Sequence, residues 1–280
     1  MRFKRHKKKP KLVFPRLFVL LASESSNAVI IRRGPSKQTA AIGWNRSSDT
    51  FTLGQWFPGK IYHFRADISP DGKYWIYFAM DEKGKAGTAV AQMPYLKALD
   101  FYVKDNTYNG GGLFLSDTVY WLNEGDDGHD VKKKGSHFKV KYEPHRKGEC
   151  PFIYFKKLER DGWILTEGNN NPHVSATKFV KSIHENWVLQ KIFFGTIGAS
   201  GERPIGKGTY YEAYSLLNRQ SLQSQPFPNW EWVEFDQPRN RLVWTESGKI
   251  MAAAINADGL GNIKMLYDTN SLTFSKQDAH

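Results

Sequence analysis

The chain has 280 residues, 40% of them hydrophobic, 24% charged and 14% aromatic, with 24 Gly and 13 Pro. This is a globular composition with an ample core, and it excludes wholesale disorder. Cys150 is the single cysteine, which excludes a disulfide scaffold, and no apolar run reaches the roughly 18 residues of a membrane span.

Forty Lys and Arg against 28 Asp and Glu give a net charge of +12. Seven of those cations (Arg2, Lys4, Arg5, Lys7, Lys8, Lys9 and Lys11) fall in the first eleven residues with no acid among them, so removing them leaves +5. Residues 1–11 therefore read as a flexible basic arm. Such an arm gathers nucleic-acid phosphates or an anionic surface by counterion release, without reading a sequence. Residues 12–280 read as one domain. Its first apolar run, Leu17–Ala22, is too short for a signal peptide, has Pro15 and Arg16 against it, and lacks a small-x-small cleavage site. It is expected to be a strand, and with one cysteine and no export signal the expected location is cytoplasmic.

Sustained helical periodicity is absent. Short β-branched and aromatic runs instead alternate with turn clusters: Leu17–Ala22, Ala28–Arg32, Thr39–Trp44, Tyr74–Met80, Ala98–Val103, Thr118–Leu122, Phe152–Phe155, Trp187–Phe194, Leu242–Thr245 and Ile250–Ile255. Many short, evenly spaced strands mean a sandwich, a barrel or a propeller.

An internal repeat decides among these. Residues 66–78 (Ala-Asp-Ile-Ser-Pro-Asp-Gly-Lys-Tyr-Trp-Ile-Tyr-Phe) align without a gap on 233–245 (Val-Glu-Phe-Asp-Gln-Pro-Arg-Asn-Arg-Leu-Val-Trp-Thr). Asp67 falls on Glu234 and Ile76 on Val243, an offset of 167 residues. If the copies lie three units apart, the period is about 56 and the chain holds five units, a length typical of propeller blades. Gly112–Glu124 is a clipped hairpin of the same kind, and Gly208–Phe227 resembles the outer half of a unit. The expected units are 12–57, 58–108, 109–165, 166–228 and 229–278. The fold class expected is all-β, a five-bladed β-propeller, with six blades as the alternative count. The 66–78 motif resembles the Ser-Pro-Asp-Gly hairpin of TolB-like and WD40-like propeller repeats. That resemblance implies a ring of blades around a channel and carries no function of its own. It also implies closure near the termini, with residues near 11–22 and 263–275 in the same or adjacent blades, commonly through a borrowed strand.

Candidate sites follow from the inner strands. Read as a strand, Lys60–Ser69 puts His63, Arg65 and Asp67 on one face, where they are costly to bury unpaired. In the equivalent strand Trp232, Glu234 and Asp236 share a face. Together these residues are candidates to hold a polar ligand in the channel. A carbohydrate-active hydrolase is the alternative, with Asp67, Glu167 and Glu234 as its carboxylates, because acid/base cleavage needs two of them roughly 5–10 Å apart.

Gly201–Thr209 approaches a phosphate-binding loop but has Gly208 where a hydroxyl should hold magnesium. His129, His137 and His145 are separated by Lys132, Lys133 and Lys134 and make no zinc pattern. The Asp126-Asp127-Gly128 turn is read as a plain turn, so neither a metal nor a cofactor is expected. Lys132, Lys133 and Lys134 open a second basic cluster, extending to Lys147, that would extend the arm's anion-binding surface. The expected function is non-enzymatic: a binding or scaffold propeller that presents loops and a channel to a protein or polar ligand. Nucleic-acid association through the arm is a further alternative.

Overall fold

The computed structural model describes residues 13–35, 37–123, 130–142, 148, 150–168, 176–195 and 209–275. Its strands form five small sheets arranged as a five-bladed β-propeller. Blade 1 is an antiparallel meander of β1 (Arg16–Leu21), β2 (Asn27–Arg33), β3 (Thr39–Asn45) and β4 (Thr50–Phe57). β2 and β3 are apolar on both faces, as the middle strands of a blade sandwiched between neighbours require: Val29, Ile30, Ile31, Ala41 and Ile42 are all fully buried.

Blade 2 comprises β5 (Gly59–Ile61), β6 (Asp67–Ile68), β7 (Tyr74–Asp81), β8 (Ala86–Gln92) and β9 (Ala98–Lys104), with β5 and β6 both pairing β7. Blade 3 opens with β10 (Gly112–Ser116) and β11 (Val119–Leu122). The chain then crosses back as β12 (Asp130–Lys134) to the outer edge of blade 2, and returns as β13 (Lys139–Lys141), parallel to β11. Helix α1 (Cys150–Arg160) follows. Blade 4 is β14 (Ile164–Glu167), β15 (Thr177–His184), β16 (Trp187–Phe194), β17 (Tyr211–Asn218) and β18 (Ser224–Pro226). Blade 5 is β19 (Trp232–Asp236), β20 (Arg241–Glu246), β21 (Lys249–Asn256), β22 (Gly259–Leu260) and β23 (Lys264–Asp268).

The repeat is written into the register. Asp67 pairs with Ile76 and Ile68 with Trp75 in blade 2; Glu234 pairs with Val243 and Phe235 with Leu242 in blade 5. Each residue is matched at the same offset of 167, and blades 2 and 5 are three apart. The clipped hairpin is β10–β11, and the outer half-unit is β17–β18.

Four expectations are corrected. The stretch 109–165 is not one unit, because β12 leaves it to pair with β9 of blade 2. The run Phe152–Phe155 is helical, inside α1. The stretch Lys60–Ser69 is not one strand, because His63–Arg65 forms a 3-10 turn between β5 and β6. That turn breaks the period-2 alternation on which a shared face for His63, Arg65 and Asp67 depended. Finally, closure uses no borrowed strand. β1 is itself the inner strand of blade 1, and blade 5 is complete without it.

The ends nevertheless lie in adjacent blades. Thr245 Oγ1 donates to the Leu17 carbonyl at 3.1 Å, Arg32 donates to the carbonyls of Thr269 and Leu272, and Phe51 stacks on Tyr267 at 4.4 Å. An ion network completes this seam: Arg46 and Arg241 both bind Asp236, and Arg239 and Arg241 both bind Asp49.

α1 fills the middle of the ring. Tyr154 meets Phe18 of blade 1, Phe64 of blade 2 and Phe193 of blade 4. Phe155 packs on Phe179 and Phe193, and Lys156 lies over Trp121 of blade 3. Arg160 grips Asp67 of blade 2 through both oxygens, at 2.6 and 2.9 Å. The channel expected from the fold is therefore occupied by a helix. That helix starts with Pro151 in its first turn and ends in a Schellman motif. There the Gly162 amide donates to Glu159, the Trp163 amide donates to Leu158, and Gly162 takes φ +86°.

Blades 2 and 3 approach closely at Gly111, which has φ +80° and where a Cβ would lie 2.2 Å from the Arg65 carbonyl oxygen. Gly111→Ala is expected to cost at least about 1–2 kcal/mol from the left-handed backbone alone, with the clash added. Thermal unfolding reads this directly; an unchanged melting temperature would mean that the turn relocates at no cost.

Candidate functional site

The two ends of α1 face different chemistry. At its carboxyl end a cavity of about 780 Å³ is bounded by β1, α1, β15, β16 and β19. Alternation along β19 turns Trp232 and Glu234 into it, while Asp236 on the same face holds Arg46, another lining residue. Phe18 meets Trp232 edge-on at 6.4 Å, giving the cavity an aromatic wall. Lys157, Arg160 and Asp161 come from the last turn of α1 and beyond it, Lys181 from β15 and Lys191 from β16. Cations at a helix carboxyl end are where the macrodipole favours them.

These charges form an ordered network. Lys181 Nζ donates to Glu234 Oε1 at 2.8 Å and Trp163 Nε1 donates to Oε2 at 2.9 Å. Burial pushes the Glu234 carboxyl up, but Lys181 and Lys191, with the two hydrogen bonds, outweigh it and hold the group below the usual carboxylate range. Lys191 is 1% exposed. Its ammonium donates to the Tyr154 hydroxyl at 2.6 Å, lies 3.5 Å from Glu212 Oε1, and sits 4.4 Å from the Trp163 ring centre. Burial lowers its pKa, which Glu212 and Glu234 restore only in part. Tyr154 and Tyr214 both donate to Glu212, and burial raises both phenols well above their ordinary value. One donor here has no protein partner, Nε of Arg46, a residue only 4% exposed.

Asp161 takes Lys157 at 2.5 Å and Arg160 at 2.9 Å. Burial pushes its carboxyl up, but Lys157 and Arg160 bring it down to about 2, against an ordinary 3.8. Between those values the unfolded chain binds the proton and the folded one does not. The stabilisation is therefore complete above the ordinary value and is lost as pH falls toward 2. Asp161→Asn is expected to flatten the loss of near-UV dichroism across that window; an unchanged acid transition would assign the sensitivity to other carboxylates.

The sequence-predicted residues divide between places. Trp232 and Glu234 line the cavity. Asp67 is fully buried, bound by Arg160 and by the Phe114 amide. Glu167 is exposed and pairs with Lys178. Of the three carboxylates considered for hydrolysis, only Glu234 lines the cavity. His63 and Arg65 lie at the other end of α1, where Arg65 Nε donates to Cys150 Sγ at 3.0 Å.

Of the basic cluster, Lys134 is committed to Asp100 at 2.8 Å and Lys133 to the Ala98 carbonyl, while Lys132 is on the same edge strand. Residues 1–12, 124–129, 143–147 and 196–208 lie outside the described residues. The arm cations Arg2, Lys4, Arg5, Lys7, Lys8, Lys9 and Lys11, the Asp126–Gly128 turn, His129, His145, Arg146 and Lys147, and the glycine loop up to Gly208 fall there. Sequence reasoning missed Arg46, Lys157, Arg160, Lys181 and Lys191. Only Lys191 carried a signal, as a lone charge inside the apolar run Trp187–Phe194.

No protein-family model matches the chain, and no curated protein matches it in sequence. Among solved structures, one similar chain is from the hydrazine synthase of Kuenenia stuttgartiensis, at 7% identity and a TM-score of 0.29, covering 90% of this chain and 80% of that one. Nothing about activity follows from a likeness at that level. Among the described residues, no helix is long and apolar enough to cross a membrane.

Proposed function

We propose that this protein is a non-enzymatic binding propeller that takes a small polar ligand bearing a negative group in the cavity at the carboxyl end of α1. The observation that carries this reading is the cavity itself. It is floored by a helix, has an aromatic wall at Trp232 and Phe18, and is lined by five cationic side chains, Arg46, Lys157, Arg160, Lys181 and Lys191. Its volume of about 780 Å³ lies within the range of small-molecule sites. Binding is favoured over hydrolysis because neither Asp67 nor Glu167 joins Glu234 in the cavity, and Glu234 itself is kept ionised by two lysines. A general acid needs its proton near working pH.

Within propellers, the Ser-Pro-Asp-Gly hairpin of blade 2 and its counterpart in blade 5 support a kinship with TolB-like and WD40-like repeats. The loops of such a ring are also suited to a protein partner. The arm at 1–11 is the element that would hold an anionic one, through a salt-dependent attraction that its deletion removes.

The test is thermal stabilisation by millimolar panels of small carboxylates and acidic sugars, since a ligand that binds only the folded state raises its melting temperature. Hits are expected in wild type and are expected to be lost in Trp232→Ala and Arg46→Met. Glycoside cleavage abolished by Glu234→Gln would overturn the reading in favour of the hydrolase, and hits unaffected by both variants would place the ligand elsewhere.

A further inference from the structure

The amino end of α1 presents the opposite electrostatic arrangement. Arg16 from β1, Arg33 from β2 and Lys60 from β5 gather near His63, and Arg65 follows in the same 3-10 turn. Arg33 Nη1 lies 3.1 Å from His63 Nδ1. Lys60 Nζ sits 4.0 Å above the Tyr62 ring, and the Arg65 guanidinium lies over Tyr62 and Phe78. Arg65 Nη1 is spent on the carbonyls of Thr107 and Asn109.

None of these four cations forms an ion pair with a carboxylate among the described residues, whereas Arg46, Lys157, Arg160, Lys181 and Lys191 at the other end all do. The cluster is not merely exposed charge. Arg65 is 3% exposed, Arg33 and Lys60 are half-buried, and Arg16 is exposed. Burial and then Arg16 lower the pKa of Arg33, and burial and then Arg33 lower that of Lys60.

The other titratable groups of the cluster are Tyr62 and Cys150, whose Sγ accepts from Arg65 Nε. A cavity of about 440 Å³ runs beside Arg16, Arg33 and Lys60. Glu82 lines it too, as does Asp81, whose Oδ1 accepts from the turn amides of Lys83 and Lys85. Like charges held together in a partly dry place cost free energy unless a counter-charge arrives, and guanidinium groups are shaped to take a tetrahedral oxyanion.

We propose that Arg16, Arg33 and Lys60, with His63 in contact with Arg33, form a binding site for a doubly charged tetrahedral oxyanion, a phosphate or phosphate monoester, at the junction of blades 1 and 2, separate from the cavity at the other end of α1. His63 reports on occupancy. Burial, Arg33, Lys60 and Arg16 hold its pKa well below 6.5. An anion cancels those neighbours, so binding raises the pKa and, reciprocally, protonation of His63 tightens binding as pH falls.

The experiment uses the full chain in three arms. Calorimetry with inorganic phosphate and with phenyl phosphate at low ionic strength distinguishes a free-ion site from an ester site. Sulfate, whose charge is constant from about pH 5 to 8, is used for the pH arm, with His63 followed by NMR and assigned through His63→Gln. Saturable binding is expected, with at least about a tenfold loss in each of Arg33→Met and Lys60→Met. No loss is expected in Lys139→Gln, an exposed control, or in Trp232→Ala. Saturating sulfate is expected to raise the His63 pKa.

Equal affinity in Arg33→Met and wild type would overturn the proposal, as would a His63 pKa that sulfate does not move. Phosphate binding lost in Trp232→Ala would also overturn it, by placing the anion in the other cavity. The His63 measurement needs no destabilising variant, and removing one of several like charges relieves repulsion, so the outcome does not hinge on a variant's folding.

Discussion

Asp236→Ala is expected to destabilise the protein by about 3–5 kcal/mol, the range for removing one partner from a buried ion pair. Asp236 is 1% exposed and takes Arg46 Nη1 at 2.7 Å on one oxygen and Arg241 Nε at 2.9 Å on the other. Truncation leaves two guanidinium groups without that carboxylate, and Arg46 already has one unpartnered donor. The position matters as much as the pair. Arg46 follows β3 of blade 1 and Asp236 ends β19 of blade 5, so the loss opens the seam where the ring closes. Urea unfolding with an unchanged slope would measure it. Arg46→Met combined with Asp236→Leu is expected to recover part of the loss, because removing both partners leaves fewer orphaned polar groups. A single-variant loss below about 1 kcal/mol would mean that apolar contacts such as Phe51 on Tyr267 close the ring unaided.

Tyr154→Ala is expected to cost a further about 3–5 kcal/mol relative to wild type, as for other large aromatic truncations in cores. Tyr154 is 2% exposed and lies between Phe18, Phe64 and Phe193, from three different blades. Its hydroxyl also accepts from Lys191 and donates to Glu212. Tyr154→Phe keeps the ring and removes only that link, so about 1–3 kcal/mol is expected. Comparing the two by denaturant unfolding separates packing from polar linkage. Equal losses would mean that the Lys191–Glu212 network, and not the aromatic contacts, holds α1 in the ring.

Much of the architecture was legible in the residues because hairpins are local. Asp67 to Ile76 and Glu234 to Val243 each span one strand, one turn and one strand, so a gap-free alignment of 66–78 on 233–245 reproduces the pairing register. α1 escaped detection because Phe152–Phe155 is a four-residue apolar run, which periodicity alone does not assign to strand or helix. Pro151 and the Asp161-Gly162 stop were the available signals, together with Ile153, Tyr154 and Leu158 at helical spacing. Likewise the alternation across Lys60–Ser69 was broken by a 3-10 turn that no turn residue announces.

The sites were far less legible. Trp232 and Glu234 were found because β19 is a true strand with a readable face. Their partners were not, since Lys181 is 53 residues from Glu234, Arg160 is 93 from Asp67 and Arg46 is 190 from Asp236. Strand period and turn chemistry act over a few residues, and so the strand hairpins and the register of blades 2 and 5 were present in the primary structure, whereas β12, inside the stretch expected as the third unit, joins the edge of blade 2. Which charges meet depends on ring closure and on a helix lying along the axis, both products of long-range packing. Only the folded ring therefore decided that, among the described residues, cations at one end of α1 are paired with carboxylates and those at the other are not.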